Sequence, residues 1–146
     1  MNGQRGFLED MGQLMVAWGI PRNTGRIYAY LLLQSAPAGL DRIAEDLEMG
    51  KSGASVATRQ LLQFGLARAS GERGSRRVLY EALHNLEAIF EARNAQSAKL
   101  LQLYRQGAAV APPAPRRRLE ETAEVMEELL SELPPLLRRI RERRAR

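Results

Sequence analysis

The chain has no cysteine and a single histidine, His84. Disulfides and thiolate metal sites are thereby excluded, and a zinc site has no second soft ligand to draw on. A lone His at a helix start reads as a surface or capping residue. The serines are not set in a nucleophile elbow. The glycines of Gly71-Glu72-Arg73-Gly74 do not follow the spacing of a phosphate loop. The expectation is a protein that is not an enzyme and uses neither metal nor cofactor. Long apolar runs are missing as well, so no segment is expected to span a membrane. The opening residues, MNGQRGFLEDMG, lack a basic stretch followed by an apolar one and a cleavage site; no secretory signal and a cytoplasmic location are expected. Lysine is nearly absent. Lys51 and Lys99 are the two in 22 basic residues, so arginine carries the net charge of +5. Aromatics are scarce: one Trp, four Tyr and three Phe.

What is present is a chain of 146 residues, 45% hydrophobic. That is enough for one small domain with accessory helices, and a core of this size gains from oligomerisation. Residues 4–18 place Phe7, Met11, Leu14, Met15 and Trp18 on one helical face. Asn23 or Thr24 is positioned to cap a second helix carrying Ile27, Tyr30 and Leu31. Ala36-Pro37-Ala38-Gly39 reads as a turn, and a short helix follows from about Leu40 to Glu48. After the tight connection Met49-Gly50 comes another helix, ending near Phe64-Gly65 with Gly65 as its stop. The period then changes. Residues 66–70 and 77–82 read as two strands joined by a loop with two glycines. A longer helix is expected from about Asn85 to Gln106, polar in its middle. Ala108 to Pro115 reads as a stiff extended linker, and Pro134-Pro135 as a break or kink in a last helix.

Helix, turn, helix, hairpin is the order of a winged helix-turn-helix. The fold class expected is mostly α (α+β), a winged helix-turn-helix with extra N- and C-terminal dimerisation helices. The parts are 1–20 (N-terminal helix), 21–83 (winged helix), 84–107 (connecting helix), 108–118 (Pro-rich linker) and 119–146 (C-terminal helix).

The second helix of the motif opens on small residues, Gly50-Lys51-Ser52-Gly53-Ala54-Ser55. Around a helical wheel, Ser52, Ser55, Val56, Arg59 and Gln63 fall on one side, and Ala54, Ala57, Thr58, Leu61 and Gly65 on the other. The second set is the core face. The first is small and uncharged but for Arg59. Small side chains there suit close approach to the DNA major groove, where hydroxyls, the Val56 methyls and the Arg59 fork could read base edges. They equally suit close helix packing within the domain. Charge placement favours DNA. From Gly50 to Tyr80 stand Lys51, Arg59, Arg68, Arg73, Arg76 and Arg77 against Glu72 alone, whereas the preceding helix region holds Asp41, Glu45, Asp46 and Glu48 against Arg42. Basic residues there would neutralise phosphates. The candidate DNA-binding residues are therefore Lys51, Ser52, Ser55, Val56, Arg59, Arg73, Arg76 and Arg77. The competing reading is a winged helix that uses the same basic face as a protein-interaction module.

GRIYAYLLL, LDRIAEDLEMGKSGASVATRQLLQFGL and GSRRVLYEA, across residues 19–83, together resemble the GbsR branch of the MarR-type winged-helix transcription regulators. The resemblance rests on Gly25-Arg26-Ile27, Lys51 to Ser55, Arg59 with Leu61, Gly65-Leu66, and Arg77 with Tyr80. The chain departs from it at Glu48, where Gly is usual in the turn, and at Gly50, where Ser is frequent. The resemblance implies a homodimeric regulator, most often a repressor, joined through its terminal helices, and in some members a small-molecule effector. Trp18, Tyr28, Tyr30 and Tyr104 are the aromatics available for a cationic ligand. Independently of the resemblance, the apolar stripes of the first helix (Phe7, Met11, Met15, Trp18) and of the last (Met126, Leu129, Leu133, Leu137) exceed what a small winged helix can cover. They meet either a second chain or each other. In the first case, two reading helices would face a pseudo-palindromic operator about 34 Å apart.

Overall fold

The computed structural model describes residues 2–146. The chain divides into two compact units, one ending at Asn85 and one running from Leu86 to Arg146.

The first unit contains α1 (Asn2–Val16), α2 (Arg22–Leu32), β1 (Ala38–Gly39), α3 (Leu40–Asp46), α4 (Lys51–Gln63), β2 (Ala67–Gly71) and β3 (Val78–Ala82). The strands form an antiparallel sheet in the order β1-β3-β2. This is the winged helix-turn-helix expected, with one addition. The turn at residues 36–39 contains a two-residue strand, Ala38 opposite Tyr80 and Gly39 opposite Leu79. Two small residues have no alternation to read, so this strand is made by tertiary pairing.

Ile20, Ile27, Ile43 and Leu61 are almost fully buried and form the centre of this unit. α1 and α2 touch backbone to backbone. A Cβ on Gly25 would lie 3.0 Å from Gly12 Cα and 3.2 Å from Met11 O. Glu9 then reaches two arginines of α2, Arg22 and, at 2.8 Å, Arg26 Nε. Burial pushes the Glu9 carboxyl up, yet the hydrogen bonds and charges of the two arginines outweigh it and hold it below its usual range. α2 begins at Arg22 behind Pro21 without a side-chain cap, so neither Asn23 nor Thr24 plays the capping part expected. Thr24 is instead buried, and its hydroxyl donates to Gln60 of α4. Pro21 supplies the entry that a cap would otherwise give, since its fixed φ leads directly into the helix.

Three helices end in the same way. Gly19 (φ 81°), Glu48 (φ 53°) and Gly65 (φ 71°) each adopt the left-handed region. The next amide reaches back to the last turn: Ile20 to Met15 O at 3.1 Å, Met49 to Ala44 O at 2.9 Å, and Leu66 to Leu61 O at 2.9 Å. These six-to-one bonds satisfy carbonyls that would otherwise lack partners. Glu48 therefore fills a conformation that glycine adopts freely and other L-residues enter at a cost.

The second unit is a hairpin of α5 (Leu86–Val110) and α6 (Pro113–Arg144). Ile89, Leu101, Ala108, Ala123 and Leu137 are its buried apolar residues. Arg105 and Glu127 pair across it at 2.6 Å, Arg144 and Glu87 at 3.3 Å, and Arg141 meets Glu91. The arginine-rich end of α6 is thus tied to α5.

Two proline expectations are corrected here. Residues 108–118 are not an extended linker: α5 continues to Val110, the break is confined to Ala111-Pro112, and α6 starts at Pro113. Pro113 and Pro115 sit in the first turn, where a missing N–H costs nothing because no intrahelical acceptor awaits it. Arg116 closes the corner by donating to Ala108 O at 3.1 Å and Ala111 O at 2.9 Å. Pro134-Pro135 does not end the helix either, since both lie inside α6. The flanking stripe, with Leu137 buried, supplies the packing that carries the helix past two lost hydrogen bonds.

Candidate nucleic-acid interface

α4 presents the two faces expected of it. Ala54, Ala57, Thr58 and Leu61 are buried, and Thr58 returns its hydroxyl to Ser55 O at 3.0 Å. Ser52, Gly53, Val56, Arg59 and Gln63 are exposed, and Ser55 is half-buried between the faces. Val56 keeps 48% of its surface open. The two glycines at the start of α4 have no internal packing duty. A Cβ on Gly53 would meet only Met49 Cε, at 3.8 Å, and one on Gly50 would meet nothing within 4 Å. The solvent face from Ser52 to Val56 is therefore low and uncharged, with Lys51 before it and Arg59 after it.

Beyond it stands the wing. β2 and β3 pair in register from Ala67–Ala82 to Gly71–Val78. The turn is fixed by Glu72 N to Arg77 O and Ser75 N to Glu72 O, both 3.0 Å, and by Gly74 at φ 78°. Ser75 Oγ accepts from Arg77 N at 3.0 Å. From Arg68 to Val78 every residue is exposed, so the hairpin projects from the unit.

The structure separates the basic residues of this region by their carboxylate partners. Arg68 is paired with Glu81, directly opposite on β3. Arg77 lies 3.8 Å from Glu72 and crosses β1, its Nη2 2.8 Å from where a Cβ of Gly39 would be. Lys51 Nζ is 2.8 Å from Asp41 Oδ1 of α3. The Asp41 carboxyl is held below its usual range by the Lys51 hydrogen bond and charge, with a further contribution from Arg77. Among the described residues, Arg73 and Arg76 make no ion pair. Arg59 has only Ser55 O of its own helix, at 3.5 Å, the long limit for a hydrogen bond. The uncommitted cations of the expected set are thus Arg59, Arg73 and Arg76, while Lys51 and Arg77 are held by carboxylates. Asp41 and Glu72 are the members of the site that sequence reasoning missed. The signal for Glu72 was available, because folding the hairpin about Gly74 sets it against Arg77.

The candidate dimerisation residues also separate. Trp18, in the turn after α1, and Leu129 on α6 are 65% and 68% exposed, Phe7 is open, and Met11, Met126 and Leu133 are half-buried. Met15 and Leu137 are corrected: at 3% and 4% exposure they belong to the cores of their own units. Met15 faces α2 because Gly25 leaves room for it; a Cβ there would lie 3.3 Å from Met15 Cβ. Of the aromatics, Tyr30 is committed through its hydroxyl, which donates to Asp46 Oδ2 at 2.5 Å. His84 is exposed just ahead of α5. Among the described residues there is no group of three or more His, Cys, Asp or Glu placed to hold a metal ion, and no helix is long and apolar enough to cross a membrane.

With this geometry in hand, the comparisons with known proteins are informative. Residues 84–143 match the family of MmpR5-like MarR family transcriptional regulators. YvaV of Bacillus subtilis (strain 168), named as an HTH-type transcriptional regulator, is 31% identical over 75 residues, 51% of this chain and 42% of YvaV. The chain thus spans less than half the length of that relative. A crystal structure of a transcriptional regulator is similar over 96% of this chain and 99% of its own, with a TM-score of 0.89 and 26% identity. The matching family is described as MmpR5-like, whereas the sequence resemblance pointed to the GbsR branch; the two agree at the level of MarR-type regulators.

Proposed function

We propose that this chain is a MarR-type winged-helix protein and a sequence-specific, double-stranded DNA-binding transcription regulator, a reading supported by its similarity to MarR-type regulators. The observation that carries the proposal is the head of α4. From Ser52 to Val56 its solvent face is small and uncharged, nothing in the fold crowds Gly50 or Gly53, and Arg59 on α4 and Arg73 and Arg76 on the wing have no carboxylate partners among the described residues. A convex rod low enough to enter a groove about 12 Å wide, with guanidinium groups beside it, is what duplex recognition asks of a helix. Ser52, Ser55, Val56 and Arg59 read bases, and Arg73 and Arg76 contact phosphates or enter a narrow minor groove.

The regulator acts as a homodimer on a pseudo-palindromic operator, as a repressor, and a small-molecule effector is the natural means of releasing it. Support for the dimer comes from apolar faces that neither unit covers by itself. Phe7 remains open on α1, Trp18 in the turn after it and Leu129 on α6, and an apolar groove runs along Leu86, Phe90, Leu133, Leu136 and Ile140. Faces of this kind mark association.

Titration of fluorescent duplexes across a salt series tests the proposal. Arg59→Ala should relax sequence preference and cost about 1–3 kcal/mol on the selected operator. Arg76→Ala should weaken all duplexes alike and reduce the salt slope by about one. A protein that binds no duplex even at low salt would instead be an interaction module, and the proposal would be withdrawn.

A further inference from the structure

Lys51 is the first residue of α4, at the positive end of the helix dipole, where a cation is disfavoured and an anion is welcome. The chain places an anion there itself: the Asp41 carboxylate of α3 sits 2.8 Å from Lys51 Nζ. Both side chains are mostly exposed, so no core packing forces them together. Arg77, held by Glu72, adds to the positive potential at Asp41. Glu45, one turn further along α3, is equally exposed and makes no ion pair among the described residues. The acidic character of α3 is therefore used selectively, at the one carboxylate that meets the head of the reading helix.

We infer that Asp41 is a built-in competitor for the DNA backbone: it occupies Lys51 in the free protein and so lowers affinity for duplex of every sequence. The inference rests on the DNA-binding reading above and assigns it a restraint. A phosphate must displace Asp41 before Lys51 contributes, and until it does Lys51 makes no phosphate contact. Exposed pairs of this kind are worth little enough to be exchanged, which suits a contact that opens on binding.

The experiment compares Asp41→Asn with Glu45→Gln in the full chain. Each raises the net charge by one, but only the first frees Lys51. Binding to an operator duplex and to a random duplex is measured by anisotropy from low to moderate salt. Asp41→Asn should tighten both by about two- to fivefold, the range an exposed ion pair allows. It should steepen the slope of log K against log salt by about 0.9, the signature of one added phosphate contact. Glu45→Gln should leave the slope unchanged. In a Lys51→Gln background the effect of Asp41→Asn should disappear. If the two acid variants move together, net charge alone is at work and the inference is overturned. It is overturned equally if Asp41→Asn still tightens binding without Lys51. If the unaltered protein binds no duplex at any salt, the DNA-binding reading itself fails and the inference goes with it, a result plainly different from binding with an unchanged slope. Thermal melts of both variants, expected to match the parent, separate these outcomes from a folding defect.

Discussion

Replacing Gly53 by alanine should move stability and DNA binding in opposite directions. Inside the protein the new methyl has room, since its one neighbour within 4 Å is Met49 Cε at 3.8 Å, an ordinary van der Waals contact. Glycine in a helix costs up to about 1 kcal/mol relative to alanine. Gly53 is in the first turn of α4, where the gain should be nearer half of that. The variant should therefore melt roughly 1–3 °C higher. On DNA the same methyl stands on the face that must approach the groove floor. A close contact forced apart by one methyl costs on the order of 1–2 kcal/mol, or about five- to thirtyfold in affinity. Melting followed by circular dichroism and duplex titration at fixed salt supply both readouts from one preparation. A variant that is more stable and binds as well as the parent would refute the reasoning: the small residues at the head of α4 would then not be a docking requirement. A less stable variant would contradict the open space measured around Gly53.

Three further outcomes are expected. Gly25→Ala should destabilise the first unit by about 1–3 kcal/mol in denaturant titration, because its Cβ would stand 3.0 Å from Gly12 Cα and backbone cannot yield as a side chain does. Glu48→Gly should stabilise by about 0.5–1 kcal/mol, relieving a left-handed residue at φ 53° at the expense of a more flexible unfolded chain. Burial, and then the Asp46 hydrogen bond, push the Tyr30 hydroxyl up from 10.0 to about 12. The folded state thus holds this proton more tightly than the unfolded state does, so the contribution, roughly 2 kcal/mol, is complete below pH 10 and lost as pH rises toward 12. Phenolate absorbance should show Tyr30 ionising late, with Tyr28 also raised by burial, and Tyr30→Phe should remove the step near pH 12 and its alkaline loss.

The fold was legible wherever one strong local signal agreed with the hydrophobic period. Gly65 at the end of an apolar stripe located the stop of α4, and the switch from period 3.6 to short alternating runs located the wing. The departures have physical reasons. The strand at Ala38–Gly39 carries no pattern of its own and exists because β3 pairs with it. The prolines of residues 112–115 read as a stiff extended linker, although at a first turn the same ring starts a helix. Thr24 was read as a cap because it precedes an apolar run, but its buried hydroxyl serves Gln60, a partner 36 residues away that no local rule could name.

The site was half legible for a related reason. A sequence shows how many charges a segment holds; recognition depends on how many are uncommitted. Of the six basic residues between Gly50 and Tyr80, Lys51, Arg68 and Arg77 have carboxylate partners, and Arg59, Arg73 and Arg76 have none among the described residues. Two of those three pairings follow from antiparallel register, which sets Arg68 against Glu81 and brings Glu72 to Arg77 across the turn. The third joins α3 to α4 across the helix-turn-helix, and it depends on the left-handed Glu48 that sends the chain back toward α3. Moving that turn moves Lys51 away from Asp41. The residue that breaks the glycine rule of the turn is thus also the one that sets how firmly the head of α4 is held before DNA arrives. Glu48→Gly, which holds the same φ without strain, should leave the Lys51 pairing and the salt slope unchanged, in contrast to Asp41→Asn.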